Sequence, residues 1–126
     1  MQIEYVATPD APQAIGPYSQ GVKTHGFVYT SGQIALDPAT GKLVDGSFED
    51  QVHRVFRNLQ AILTAAGSDF SRVIKATVYV TDLGNFQALN TIYASYFGEH
   101  KPARTTVEVP KLPKDAAVEI DIIALA

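Results

Sequence analysis

SFEDQVHRVFRNLQAILTAAGSDFSRVIKATVYV, residues 47–80, holds a helix followed at once by a strand. Ser47 stands where a helix cap belongs, with Asp50 three residues later. Val52, Val55, Phe56, Leu59, Ile62, Leu63 and Ala66 recur at helical spacing, and Gly67 marks the stop. Arg54, Arg57, Asn58 and Gln60 occupy the other sides. Val73 to Val80 is β-branched and apolar, which predicts a buried strand. An amphipathic helix delivered directly to a buried strand is the seed of an α+β sandwich.

On the N-terminal side, Gln2 to Thr8 reads as a short strand. Ala11 to Gln20 reads as a loop built from Pro12, Gly16 and Pro17. Val22–Thr24 and Phe27–Gln33 form a hairpin across His25-Gly26, and Asp37 to Gly41 is a turn. On the C-terminal side, Asp82 or Asn85 caps a second helix whose stripe is Phe86, Leu89, Tyr93, Tyr96 and Phe97. Ala103–Val109 and Val118–Ala126 are the last two strands. The order β-β-β-α-β-α-β-β predicts a mostly antiparallel sheet with two helices on one face, in one domain spanning residues 1–126. We assign Val28, Val78, Val107 and Ile122 to the helix side. Phe27, Tyr29, Tyr79, Ile123 and Leu125 then point the other way. That much apolar area is not left wet, so other subunits are expected to cover it, a dimer being the commonest arrangement.

Composition narrows the function. The chain is 46% hydrophobic and 18% charged, with a net charge of -3 and no basic run among its ten Lys and Arg residues. Nothing there suits nucleic acid. Cysteine is absent, which removes disulfides, thiolate metal sites and a cysteine nucleophile. Met1 to Tyr5 lacks the features of a signal peptide and no stretch approaches a membrane span, so the cytoplasm is the expected location. His25, His53 and His100 show no ligand spacing; we read them as surface histidines and expect no metal. Ser19 between Gly16 and Gly21 is not a nucleophile elbow, and Gly32 and Gly41 do not make a phosphate loop.

Two residues stand out. Arg104 opens a β-branched run just after Pro102, and Glu119 opens the final strand. A guanidinium offers a planar fork that fits a carboxylate, and a nearby carboxylate can move a proton. A structural ion pair between the two is the plain alternative. With metal, thiol and serine chemistry set aside, acid-base or water-mediated chemistry on a small anion remains. Hydroxyls of Tyr18, Ser31 or Thr106 would orient the rest.

The chain resembles the RidA (YjgF) family, the reactive-intermediate imine deaminases. The resemblance runs through Ala11–Gln20, Ser31–Ile34, Ala65–Gly67, Val78–Leu83, Pro102–Arg104, Leu112–Asp115 and Val118–Ile120. It implies a trimeric chorismate-mutase-like architecture with sites between subunits. It implies hydrolysis of 2-imino acids, such as 2-iminobutanoate and 2-iminopropanoate and their enamine tautomers, to 2-oxo acids and ammonia without a cofactor. By position, the carboxylate-binding arginine is Arg104 and the water-handling glutamate is Glu119. Tyr18, Ser31, Gly32 and Asn90 are pocket residues. Thr106 replaces a frequent cysteine whose backbone carbonyl is the part used. The charge of Arg104 is expected to keep Glu119 ionised, as a base requires. Alternation puts Arg104 on the face opposite Val107, hence away from the helices, so Asn90 would reach it only from another chain. Three rival readings are a deaminase for another enamine acid such as 3-aminoacrylate, a non-enzymatic ligand-binding or chaperone-like protein, and a ribonuclease. The acidic charge speaks against the last.

Overall fold

The computed structural model describes residues 2–126. The strands are β1 (Glu4–Val6), β2 (Gly21–Thr24), β3 (Phe27–Thr30), β4 (Val73–Val80), β5 (Ala103–Glu108) and β6 (Val118–Leu125). The helices are α1 (Phe48–Ala65), between β3 and β4, and α2 (Phe86–Phe97), between β4 and β5. The fold is α+β, and the sheet order is β1-β2-β3-β6-β4-β5. The expectation of a mostly antiparallel sheet holds with one exception. β4 and β5 run parallel because α2 carries the chain back between them.

Local chemistry explains the boundaries. Ser47 and Asp50 form the reciprocal capping box at α1. His25 (φ 51°) and Gly26 (φ 78°) both take left-handed backbone, the two-residue turn that joins β2 to β3. α2 begins differently from its expected cap. Asp82 caps a single 3-10 turn, Leu83–Asn85, and the side chain of Asn85 makes no capping bond. The third strand stops at Thr30, three residues before its expected end, and Gln33 then makes an isolated bridge to Ile120.

The core lies between the sheet and the two helices. Phe56, Leu59, Ile62 and Leu63 of α1 meet Val28, Ala76, Val78, Ile120 and Ile122 of the sheet, all essentially inaccessible. Each such aliphatic or aromatic side chain contributes about 1.5–3 kcal/mol when fully buried. Phe56 also stacks on Tyr96, with ring centroids 4.5 Å apart, and touches the edges of Phe70, Tyr93 and Phe97. Tyr96 and Phe97 are thereby core residues, and Tyr96 also bonds to His53 Nδ1 at 2.7 Å. His53 is half-buried rather than a surface residue; His25 and His100 are exposed. Among the described residues no cluster of His, Asp and Glu is placed to hold a metal ion. Nor, among the described residues, is any helix long and apolar enough to cross a membrane.

Among the described residues no helix covers the other sheet face. It carries Tyr29, Val107 and Leu125, all exposed, with half-buried Phe27, Tyr79 and Ile123.

Candidate active site

β5 is an edge strand paired with β4. Arg104 lies opposite Ala76 and Thr106 opposite Val78, and both β4 residues are fully buried against the helices. Arg104 and Thr106 therefore face the helices, and Val107, 38% exposed, faces away. This reverses the facing expected from the sequence. The reason is the partner that Arg104 finds on α2. Its guanidinium carbon lies 4.8 Å from the centroid of the Tyr93 ring and 5.5 Å from that of Phe86. An arginine with an apolar stem and a flat cation on aromatic faces can occupy an inward position that a charge alone would refuse.

Asn90, Tyr93, Lys101, Pro102 and Arg104 line one groove of about 240 Å³. Asn90 and Arg104 thus share a groove within one chain, and no second chain is needed to bring them together. Beside it, the hydroxyls of Tyr93 and Thr106 are buried without a hydrogen-bond partner. Burial pushes the Tyr93 phenol up, with the charge of Arg104 working against the rise.

Glu119 lies on the opposite face. It pairs with Tyr79 in β4 and opens into a recess of about 110 Å³ lined by Pro12, Tyr18, Gly32, Pro113 and Lys114. Gln33 and Ile120 exchange backbone hydrogen bonds of 2.9 and 3.1 Å, which sets Gly32 beside the glutamate. A Cβ at Gly32 would overlap the Glu119 carboxylate, so glycine lets that carboxylate stay where it lies. The Tyr18 amide donates to the Gly16 carbonyl at 2.8 Å across Pro17, and the half-exposed phenol of Tyr18 overhangs the recess. The loop beneath is held by Gln20. Its buried amide donates to the carbonyls of Thr8, Ala11 and Pro12 and accepts from the Thr8 N–H. Ser31 adjoins Gly32, but its hydroxyl is committed to the Ser19 carbonyl.

Burial raises the Glu119 carboxyl above its ordinary range, and the nearby Asp121 carboxylate adds to the rise. Burial raises Asp121 likewise, opposed by Lys75. The expected help from Arg104 is absent. β4 lies between β5 and β6, so the strands of Arg104 and Glu119 are about 10 Å apart and the side chains point to opposite faces. The ion-pair alternative fails within this chain for the same reason. The only ion pair among the described residues is Lys111–Asp115, at 3.3 Å on the surface.

The structure therefore brings the sequence-derived residues together as two halves. Arg104, Thr106 and Asn90 stand on the helix side; Glu119, Gly32 and Tyr18 stand on the open side. Phe86 and Tyr93 were hidden in the reading of α2 as a core stripe. Their signal was available: two aromatics seven residues apart on a helix that leads into a strand carrying an arginine. The closeness of Gly32 to Glu119 had no local signal, because the Gln33–Ile120 bridge that creates it spans most of the chain.

The chain is similar to known proteins over nearly its whole length. Residues 8–126 match the family described as Endoribonuclease L-PSP. A RutC family protein of Pyrococcus horikoshii is 50% identical over 121 residues, 96% of each chain. The Arabidopsis thaliana protein named Reactive Intermediate Deaminase A, chloroplastic, is 47% identical over 121 residues, which is 96% of this chain and 65% of that longer one. The crystal structure of E. coli TdcF with bound serine matches with a TM-score of 0.92 at 42% identity, covering 98% of both chains.

Proposed function

The chain belongs to the Endoribonuclease L-PSP family, that of the RidA and RutC proteins, and from that premise we propose that it is a hydrolytic deaminase of small 2-imino and enamine acids. Its substrates would be compounds such as 2-iminobutanoate and 2-iminopropanoate, released as 2-oxo acids and ammonia. We further propose that it works as a homotrimer, with Arg104 of one subunit facing Glu119 of the next. The observation that carries the reading is the pair of half-sites. One face presents a guanidinium that no carboxylate neutralises among the described residues, and the other presents a carboxylate pushed up by burial. Each lacks what the other has. The name of the Arabidopsis relative supports the deaminase, and the serine bound to the E. coli relative supports a small carboxylate ligand. The uncovered apolar sheet face supports the assembly.

In this mechanism Arg104 holds the substrate carboxylate by its paired donors, and Asn90 and the Thr106 backbone complete the seat. Water adds to the imine carbon as Glu119 takes one of its protons. Glu119 returns that proton to nitrogen to give the carbinolamine, then takes the proton of the new hydroxyl and passes it to the same nitrogen as the carbon–nitrogen bond breaks, giving ketone and ammonia. An enamine substrate is first protonated at carbon, a step open to the acid form of Glu119. Tyr18 closes the recess over the reacting atoms, and Ser31 braces the loop through Ser19. No step calls for a cofactor. The test is a coupled assay in which a threonine dehydratase generates the imine. The protein is expected to speed release of 2-oxobutanoate; no acceleration by a folded, assembled protein would overturn the reading.

A further inference from the structure

Arg104 is held by two aromatic rings rather than by an acid. Tyr93 lies one turn beyond Asn90 on α2, and Phe86 stands at the first residue of that helix. Phe86 is 41% exposed, and the aromatic contact recorded for its ring is the one with Arg104. A large apolar side chain kept that open, at the start of a helix, contributes little to the core. We propose that Phe86 and Tyr93 are positioning residues that pre-set the Arg104 guanidinium for a carboxylate, a role that rests on the reading of Arg104 given above.

The physical case has three parts. A free arginine side chain samples many rotamers and must order when its ligand arrives, which lowers affinity. Two ring faces confine the guanidinium before the ligand comes. Next, a cation resting on rings keeps its N–H edge free, because stacking uses the face of the plane and hydrogen bonding uses its rim. A carboxylate neighbour would occupy that rim and compete with the ligand. Lastly, both rings belong to the helix that also carries Asn90. α2 thereby fixes the cation and its companion amide as one unit.

The test uses the assembled protein and two stable probes, 2-oxobutanoate and its neutral methyl ester, with binding measured by calorimetry. Phe86→Leu and Tyr93→Leu are expected to weaken 2-oxobutanoate binding about three- to tenfold each and to leave ester binding unchanged. Tyr93→Phe keeps the ring and is expected to bind the acid like the parent. Phe86 is exposed enough that its variant will fold, and melting temperature checks this for all three. Equal losses for acid and ester would make the rings mere packing and overturn the proposal. So would parental acid binding in both Leu variants when Arg104→Ala has lost it. Tyr93→Phe as impaired as Tyr93→Leu would transfer the role from ring to hydroxyl and overturn the claim for Tyr93. If Arg104→Ala binds the acid as tightly as the parent, the carboxylate reading itself fails, a result distinct from the others.

Discussion

A guanidinium withdrawn from bulk water ordinarily finds a carboxylate, yet Arg104 rests on Phe86 and Tyr93 with its donor edge unclaimed by any described acid. Replacing it with Ala is expected to abolish acceleration of imine hydrolysis while the assembly persists on a sizing column. Arg104→Lys keeps the charge and loses the fork, and a fall of about 10- to 100-fold in kcat/KM is expected. Glu119 makes a different prediction. A base must be ionised, and burial with Asp121 raises the pH at which this one ionises. Activity is therefore expected to climb with pH along an acid limb set by Glu119, with Arg104 of the next subunit working against the rise. Glu119→Gln should remove that limb and cut turnover by about 10²- to 10⁴-fold, with 2-oxobutanoate binding little changed. The sign for stability is opposite. A carboxyl with a raised folded pKa contributes most below its unfolded value, and the contribution is lost as pH rises through the folded one. Glu119→Gln is thus expected not to lower, and rather to raise, the melting temperature at pH 7. A lower one would mean that the carboxylate braces the fold.

At the scale of elements, α1 carries a polar residue with a structural task. Asn58 is fully buried, although its polarity placed it off the apolar stripe. It donates to the carbonyls of Ile34 and Leu36, at 3.3 and 2.9 Å, and accepts from Arg54 at 3.1 Å. That bond set anchors the segment just after Gly32 to the helix. Asn58→Ala leaves the buried Leu36 carbonyl without its donor, while the Ile34 carbonyl keeps the Leu36 N–H, and a loss of about 1–3 kcal/mol is expected from urea unfolding; a loss below about 0.5 kcal/mol would show that water or Arg54 takes over. The contrast with the capping box shows what the sequence made legible. Ser47, Asp50 and Gly67 act within one or two turns of themselves, and β4 buries Val73, Ala76, Val78 and Val80 against the helices, so α1 and β4 emerge at or near their expected bounds. β5 was ambiguous because an edge strand has one neighbour. Alternation there set Ala103, Thr105 and Val107 against Arg104 and Thr106, and the only large apolar residue was on the losing side. Parallel pairing of Val78 with Thr106 decided the matter, and pairing is not written in β5 itself. Glu119 and Arg104 were readable as individuals. Their separation by β4 was not, because adjacent position in the chain suggested adjacent strands.

At the scale of the molecule, the two halves constrain how copies can meet. A twofold contact sets a patch against itself. The proposed site sets two different patches, on opposite faces of one sheet, against each other, which asks for a head-to-tail contact that closes into a ring. The expected mass by light scattering is three times the 13.6 kDa chain; a clean monomer would remove the basis of the shared site. Mixing supplies the sharper test. Arg104→Ala and Glu119→Gln proteins, each inactive, would be unfolded together and refolded. Random trimers restore both residues at about a quarter of the interfaces, and activity should return in that proportion. No recovery, with mixed trimers confirmed by mass spectrometry, would show that the two residues do not share a site.

The placement of Arg104 and Glu119 on opposite faces of one sheet also governs how the protein behaves when scarce. On the proposed intersubunit site, a solitary chain owns every group the chemistry needs and still has no working centre. Activity then is not proportional to the amount of protein at great dilution; it rises with a steeper power until rings are complete. A freshly diluted sample should lose its rate over the lifetime of the ring, and a chain newly released from the ribosome should stay silent until it has met its fellows.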